Sequence, residues 1–246
     1  MRARLVAVAT VLTVATGCAA PGYGAPGGTK PQSPVNFIIP VATAIAPPPQ
    51  VPFGLPNPAF DGVPERIAEA TELAAARGAT VSVALLDRST GQLLSNGSDN
   101  TMAIASVAKL FIADDLLVHG PLSAEDRANL DAMLRSSDDN AGENFWNREG
   151  GDAVIGRVAA RYGLGATTPG GDGRWWNVIS TPMDLVRYYD MMLGGAGGLT
   201  PAEANIIVDN LAQSTPTGVD GYPQRFGIPD GLFAEPVAVK QGWMCC

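Results

Sequence analysis

The sequence predicts an α+β fold, a sheet layered with helices in an α/β sandwich. Three observations predict it: a helix followed by a hairpin where the compact part begins, a run of helical patterns through the middle, and a lone strand pattern near the end. The chain of 246 residues suits one main domain, because a single hydrophobic core stops growing at roughly 250 residues. Hydrophobic residues make up 46% and charged residues 16%, a globular composition that argues against disorder or a membrane bundle over most of the length. A formal charge of −8 is the wrong sign for a surface that must displace counterions from phosphate, so no nucleic-acid partner is expected.

Arg2 and Arg4 precede an apolar run from Leu5 to Val14, and Ala15-Thr16-Gly17-Cys18 follows with small residues before the cysteine. The run is too short to span about 30 Å of hydrocarbon as a resident helix, so residues 1–17 read as a signal peptide. The residues before Cys18 resemble a bacterial lipobox, with Ala15 where leucine is commoner. That resemblance implies that Cys18 receives a diacylglycerol and becomes the new N-terminus; cleavage by an ordinary signal peptidase, with Cys18 incidental, is the alternative. Either route predicts export, and the lipid predicts anchoring to the outer face of the cell membrane. Eleven of the twenty prolines lie between Pro21 and Pro58. Such density blocks helix and removes ladder donors, so residues 18–60 read as an extended tether and the domain as residues 61–246.

Pro64 to Arg77 carries Ile67, Ala70, Thr71 and Ala74 at helical spacing, with proline suited to the first turn and Gly78 to the stop. Val81 to Leu86 and Gln92 to Ser95 read as two strands joined by the Asp87–Gly91 turn. Residues 105–118 and 122–134 have helical spacing, 140–162 holds one or two further helices, and others start at Thr181-Pro182 and Pro201. The Pro/Gly-punctuated stretch 214–235 reads as an irregular loop, and Val237 to Lys240 as the last strand.

The single histidine, His119, sits before Gly120-Pro121 where a helix gives way to a loop, and reads as a solvated helix-end residue rather than a triad member. No G-x-S-x-G elbow occurs, so a hydroxyl nucleophile here needs a lysine or carboxylate base. Ser106-Val107-Ala108-Lys109 supplies the lysine: positions i and i+3 share a helix face, and Ala105, Leu110, Phe111 and Ile112 would bury the pair. Burial disfavours the ammonium and makes a lysine a usable base, and a second lysine nearby adds to that. One histidine and three cysteines, two of them the adjacent Cys245 and Cys246, make neither a metal ligand set nor a disulfide framework, and no cofactor is expected.

In order along the chain, Ser106-x-x-Lys109, Asp138-Asp139-Asn140 with Asn144 beyond, and Lys240-Gln241-Gly242 resemble the S-x-x-K, S-D-N and K-T-G motifs of class A β-lactamases and low-molecular-weight penicillin-binding proteins. The resemblance runs over about residues 62–246. It implies a β-lactamase/transpeptidase-like antiparallel sheet flanked by helices, in a monomer. It also implies roles: Ser106 attacks an acyl carbonyl, Lys109 takes its proton, Asn140 binds the substrate amide, Lys240 attracts the substrate carboxylate, and the NH groups of Ser106 and Trp243 hold the oxyanion. The implied ligand is a β-lactam or a D-Ala-D-Ala-like peptidoglycan peptide.

Four departures bear on that chemistry. In the register set by Asn140, Asp138 replaces the second serine, although Ser137 is adjacent; a carboxylate there would pair with Lys109 and Lys240 and hold them protonated. Only 32 residues separate Ser106 from Asp138, which implies a reduced helical domain. Residues 163–182 contain no glutamate and only Asp172 as an acid, so no deacylating base is found. Trp175 and Trp176 in that stretch are core or cleft wall. Finally, the chain stops soon after the third motif, which predicts a C-terminally truncated sheet with unpaired backbone between the hairpin and the Lys240 strand. Two functions remain open: a serine acyltransferase or hydrolase, or a non-catalytic envelope lipoprotein that keeps the fold to bind peptidoglycan or a protein. A solute-binding lipoprotein of another fold would not require these three motifs in order.

Overall fold

Residues 7–15, 37–41, 61–231 and 236–244 are described by the computed structural model of the chain. Cys18, Cys245 and Cys246 lie outside them. Helix α1 (Val63–Ala75) starts with a proline in its first turn, where no intrahelical N–H is needed, and Gly78 closes it at φ +76°. The hairpin follows as β3 (Ala79–Asp87) and β4 (Gln92–Asn96), with Asp87 opposite Gln92. Its turn is tied by the Asp87 carboxylate, which accepts from Ser89 N at 2.9 Å and from the Ser89 and Thr90 hydroxyls.

The expected break in the sheet is not what the structure shows. Strands β1 (Ala7–Ala15) and β2 (Phe37–Val41) fill it, giving a five-stranded sheet in the order β4-β3-β1-β2-β7, where β7 is Ala238–Gly242 and every pair is antiparallel. The physical reason is that a mid-sheet edge leaves rows of N–H and C=O groups without partners, and Ala7–Ala15, rich in valine and threonine, matches β3 over all nine residues. The ladder between β1 and β2 skips Ile39 and Pro40, since proline has no N–H to donate. Strand β1 lies within the span read as a leader and β2 within the span read as a tether.

Helix α2 (Lys109–Val118) is buried from Lys109 through Leu117 and is ringed by α3 (Ala124–Arg135), α4 (Asp139–Arg148), α5 (Ala153–Tyr162) and α7 (Pro201–Ala212). A helix buried all round belongs at the centre of the core, where Phe111 meets the edge of Tyr188. Its two buried acids are paired: Asp114 forms an ion pair with Arg161 at 2.6 Å and its Oδ2 accepts from the hydroxyls of Tyr162 and Tyr188, and Asp115 is held by a bidentate Arg157. His119 ends α2 half-exposed, 3.2 Å from Glu149. Helix α6 (Pro182–Leu193) and α7 start at their prolines behind Thr181 and Thr200, and the latter closes a capping box with Glu203. A small second sheet joins β5 (Met102–Ala103) to β6 (Ile179–Ser180), and a short helix α8 (Ile228–Gly231) interrupts the expected 214–235 loop. Among the described residues no helix is long and apolar enough to cross a membrane.

Candidate active site

A tight 3-10 turn, Ala105–Ala108, joins β5 to α2 and carries Ser106 at its second position. Ala105 adopts φ +46°, a conformation costly for a residue with a Cβ and characteristic of functional turns. The turn is clamped from one side by β7: a Cβ on Gly242 would lie 2.6 Å from Ile104 O and 3.2 Å from Ser106 N, so only glycine allows this approach. The lysine lies beneath the serine. Lys109 Nζ, with its side chain fully buried, is 3.0 Å from Ser106 Oγ, 2.8 Å from Ser137 O, 3.1 Å from Ser137 Oγ and 2.5 Å from Asp139 Oδ1. Its stem packs on Gly142, where a Cβ would approach Lys109 Cε to 3.1 Å, and its ammonium faces the Trp175 ring at 4.5 Å.

Ser137 is the hub that sequence reasoning placed one residue too late. It sits between α3 and α4 at φ +54°, and its hydroxyl also accepts from Lys240 Nζ at 3.0 Å. The second motif therefore reads Ser137-Asp138-Asp139. Asp138 is not beside the lysines: it is the N-cap of α4, its carboxylate accepting from Asn140 N at 2.9 Å and Ala141 N at 3.1 Å. Asn140 is exposed on the first turn of α4, and it is Asp139 that meets Lys109. The sequence did carry a cue, because a helix starting at 139 needs a cap and Asp138 is among the best. Of the residues singled out in the sequence, Ser106, Lys109 and Lys240 meet around Ser137, and Asp138 and Asn140 make no hydrogen bond to them.

Burial sets the electrostatics. It pushes Lys109 below the usual lysine range, against the Asp139 carboxylate, which pulls the other way. Lys240 lies well below that range, first through burial and then through the charge of Lys109. Lys240 also donates to Gln241 O at 2.9 Å, so its buried amine is held between that carbonyl and the Ser137 hydroxyl.

In front of Ser106 opens a cavity of about 380 Å³ walled by Asp139, Trp175, Trp176, Asp220 and Trp243. Trp175 is buried and donates to Glu143 Oε2 at 3.0 Å, and Trp176 meets it edge to face, so this pair is both core and cleft wall. Trp243 stacks on Tyr222 with ring centres 4.8 Å apart and donates to Asp220 Oδ2 at 3.0 Å. Asp220 comes from the stretch read as irregular, where no spacing marked it out. Asp172 is occupied by Asn177 at 2.6 Å and is not part of the wall.

No known family profile matches the chain. Proteins named "Putative lipoprotein LppW" from Mycobacterium tuberculosis and Mycobacterium bovis are 55% identical to it over 267 aligned residues, covering 100% of this chain and 84% of theirs. Among solved structures, a β-lactamase from Chitinophaga pinensis superposes with a TM-score of 0.53 at 16% identity, over 61% of this chain and 69% of that one. An ancestral class A β-lactamase gives 0.51 at 21% identity over 62% and 72%, and the β-lactamase of Streptomyces albus G gives 0.50 at 17% over 62% and 71%. At such identities the likeness shows the fold.

Proposed function

The chain belongs to the family of the mycobacterial lipoprotein LppW and has a β-lactamase-like fold, and from that premise we propose that it is an envelope lipoprotein that transfers acyl groups through Ser106. One observation carries the reading: a fully buried lysine whose burial outweighs its carboxylate partner lies 3.0 Å from a serine hydroxyl that opens on the cleft. Ser106 Oγ attacks an acyl carbonyl as Lys109 takes its proton. The oxyanion rests between the Ser106 and Trp243 NH groups, and the carbonyl–nitrogen or carbonyl–oxygen bond breaks. Ser137, bridging both lysines, hands its proton to the leaving atom and is resupplied through them. β-Lactams and D-Ala-D-Ala-like peptides carry the required carbonyl. Asp172, the one acid of residues 163–182, is tied to Asn177 and stands outside the cleft wall, so it supplies no base for a deacylating water, and the reading is of an acyl-enzyme that is slow to leave. The relatives' name, with the small residues before Cys18, supports lipid attachment at that cysteine and anchoring outside the cell membrane.

The test is incubation with a fluorescent penicillin, which is expected to label the wild-type chain and not Ser106→Ala. Absence of label on the folded wild type rejects the reading for β-lactams. The rate should rise with pH as Lys109 loses its proton, with a midpoint below the ~10.4 of a free lysine. In Asp139→Asn, which lacks the carboxylate favouring the ammonium, that midpoint should move to lower pH; a pH series of labelling rates in which it stays or rises contradicts Lys109 as base. The Lys109–Asp139 pair at 2.5 Å also supports a second reading, a binding protein whose lysine stays protonated. In that case the wild type remains unlabelled throughout.

A further inference from the structure

The resemblance that led to the three motifs assigns Lys240 to a substrate carboxylate, yet the wall of this cleft offers a carboxylate nothing positive. Lys109 and Lys240 are 0% and 1% exposed and stand behind the two serines, and no lysine or arginine is among the described residues that line the cavity. Arg174 stands over Trp176 at 5.2 Å, near the rim, with Asp172 3.8 Å from it. The wall itself is acidic and aromatic.

Asp220 is the firmer of its two charges. Its partners, Trp243 Nε1 and Tyr222 N, are neutral donors that orient the carboxylate without cancelling its charge. Asp139 is offset by Lys109 while that lysine is protonated, and the buried Lys240 is a second cation within electrostatic reach of Asp139 and Asp220; the two carboxylates themselves line the cavity, whereas neither lysine does. Tryptophan faces add to the same preference, since a cation held against an indole gains from the ring quadrupole and an anion does not.

We propose that this cleft selects ligands bearing a cationic group, an ammonium seated toward Asp220 and Asp139 with its apolar body against Trp176 and Trp243, and discriminates against ligands bearing a carboxylate. The proposal rests on the acyl-transfer reading only for what is transferred; the charge preference is a property of the wall. For acyl transfer it means that esters or amides with an ammonium near the carbonyl acylate Ser106 faster than penicillins, every one of which brings a carboxylate into the cleft.

Calorimetric titration of Ser106→Ala separates binding from chemistry. At low ionic strength benzyltrimethylammonium is expected to bind about tenfold or more tightly than phenylacetate, and Asp220→Asn to narrow that gap severalfold, because like and opposite charges near a protein surface differ by that order. Ammonium binding no tighter than phenylacetate, including no binding of either at millimolar concentration, overturns the proposal. The two readings fail separately. A cation preference in Ser106→Ala with no adduct on wild-type Ser106 leaves the proposal standing and removes the acyl transfer. An adduct without the preference does the reverse.

Discussion

Replacing Lys109 by methionine is expected to slow acylation of Ser106 by about 10²–10⁴-fold, the usual contribution of a positioned general base, while leaving the protein at least as stable. The two effects share a cause. The amine contacts Ser106 Oγ at 3.0 Å, and no other described base is bonded to that hydroxyl. The same amine is buried, and methionine of similar length can lie against Gly142 and Trp175 without a charge to desolvate. A gain of about 1 kcal/mol at neutral pH is expected. Because the folded lysine sits below its unfolded value, the unfolded chain binds the proton more readily. Wild-type stability from this group is present above about pH 10.4 and is lost as pH falls through the lowered folded value. Denaturant titrations at several pH values should find Lys109→Met flatter than wild type. A variant that both unfolds and loses labelling would instead make the lysine structural.

The second large effect concerns the sheet. A chain beginning at Cys18 lacks β1 and exposes the full nine-residue ladder of β3 together with the inner edge of β2. It is expected to lose on the order of 5 kcal/mol, a large share of a domain's stability, or to associate through the open edges. Thermal unfolding and light scattering of this chain beside the precursor check it. Equal stability with a monomeric particle would show that β1 contributes nothing to the fold. The mass of the N-terminal fragment of protein purified from a membrane shows which form the cell holds.

What could be read from the sequence divides along physical lines. Helices opened by Pro64, Pro182 and Pro201, and the hairpin turned at Asp87–Gly91, carry local cues and stand within a few residues of where those cues place them. Strands β1 and β2 do not, because a valine-rich run has the same composition in a leader as in a strand, and only the need of β3 and β7 for partners decides its place here. At the site, Ser106 and Lys109 were legible from their i, i+3 spacing, and Lys240 only through the resemblance of Lys240-Gln241-Gly242 to the third family motif. The second motif slipped by one because Ser137-Asp138-Asp139-Asn140 offers two registers, and the choice falls to the capping of α4. Asp220 and the indoles of Trp176 and Trp243 come from segments distant in sequence, so their meeting at one cavity is a product of tertiary packing alone.

The central claim is that Ser106 is an acylating nucleophile whose adduct is slow to leave. Intact-protein mass spectrometry with peptide mapping, after reaction with an activated ester and removal of free reagent, tests it most directly. The account predicts one acyl group per chain, on Ser106, persisting after the reagent is gone and absent from Ser106→Ala. An unmodified mass on the folded chain, or an acyl group mapped to another residue and retained in Ser106→Ala, would contradict it.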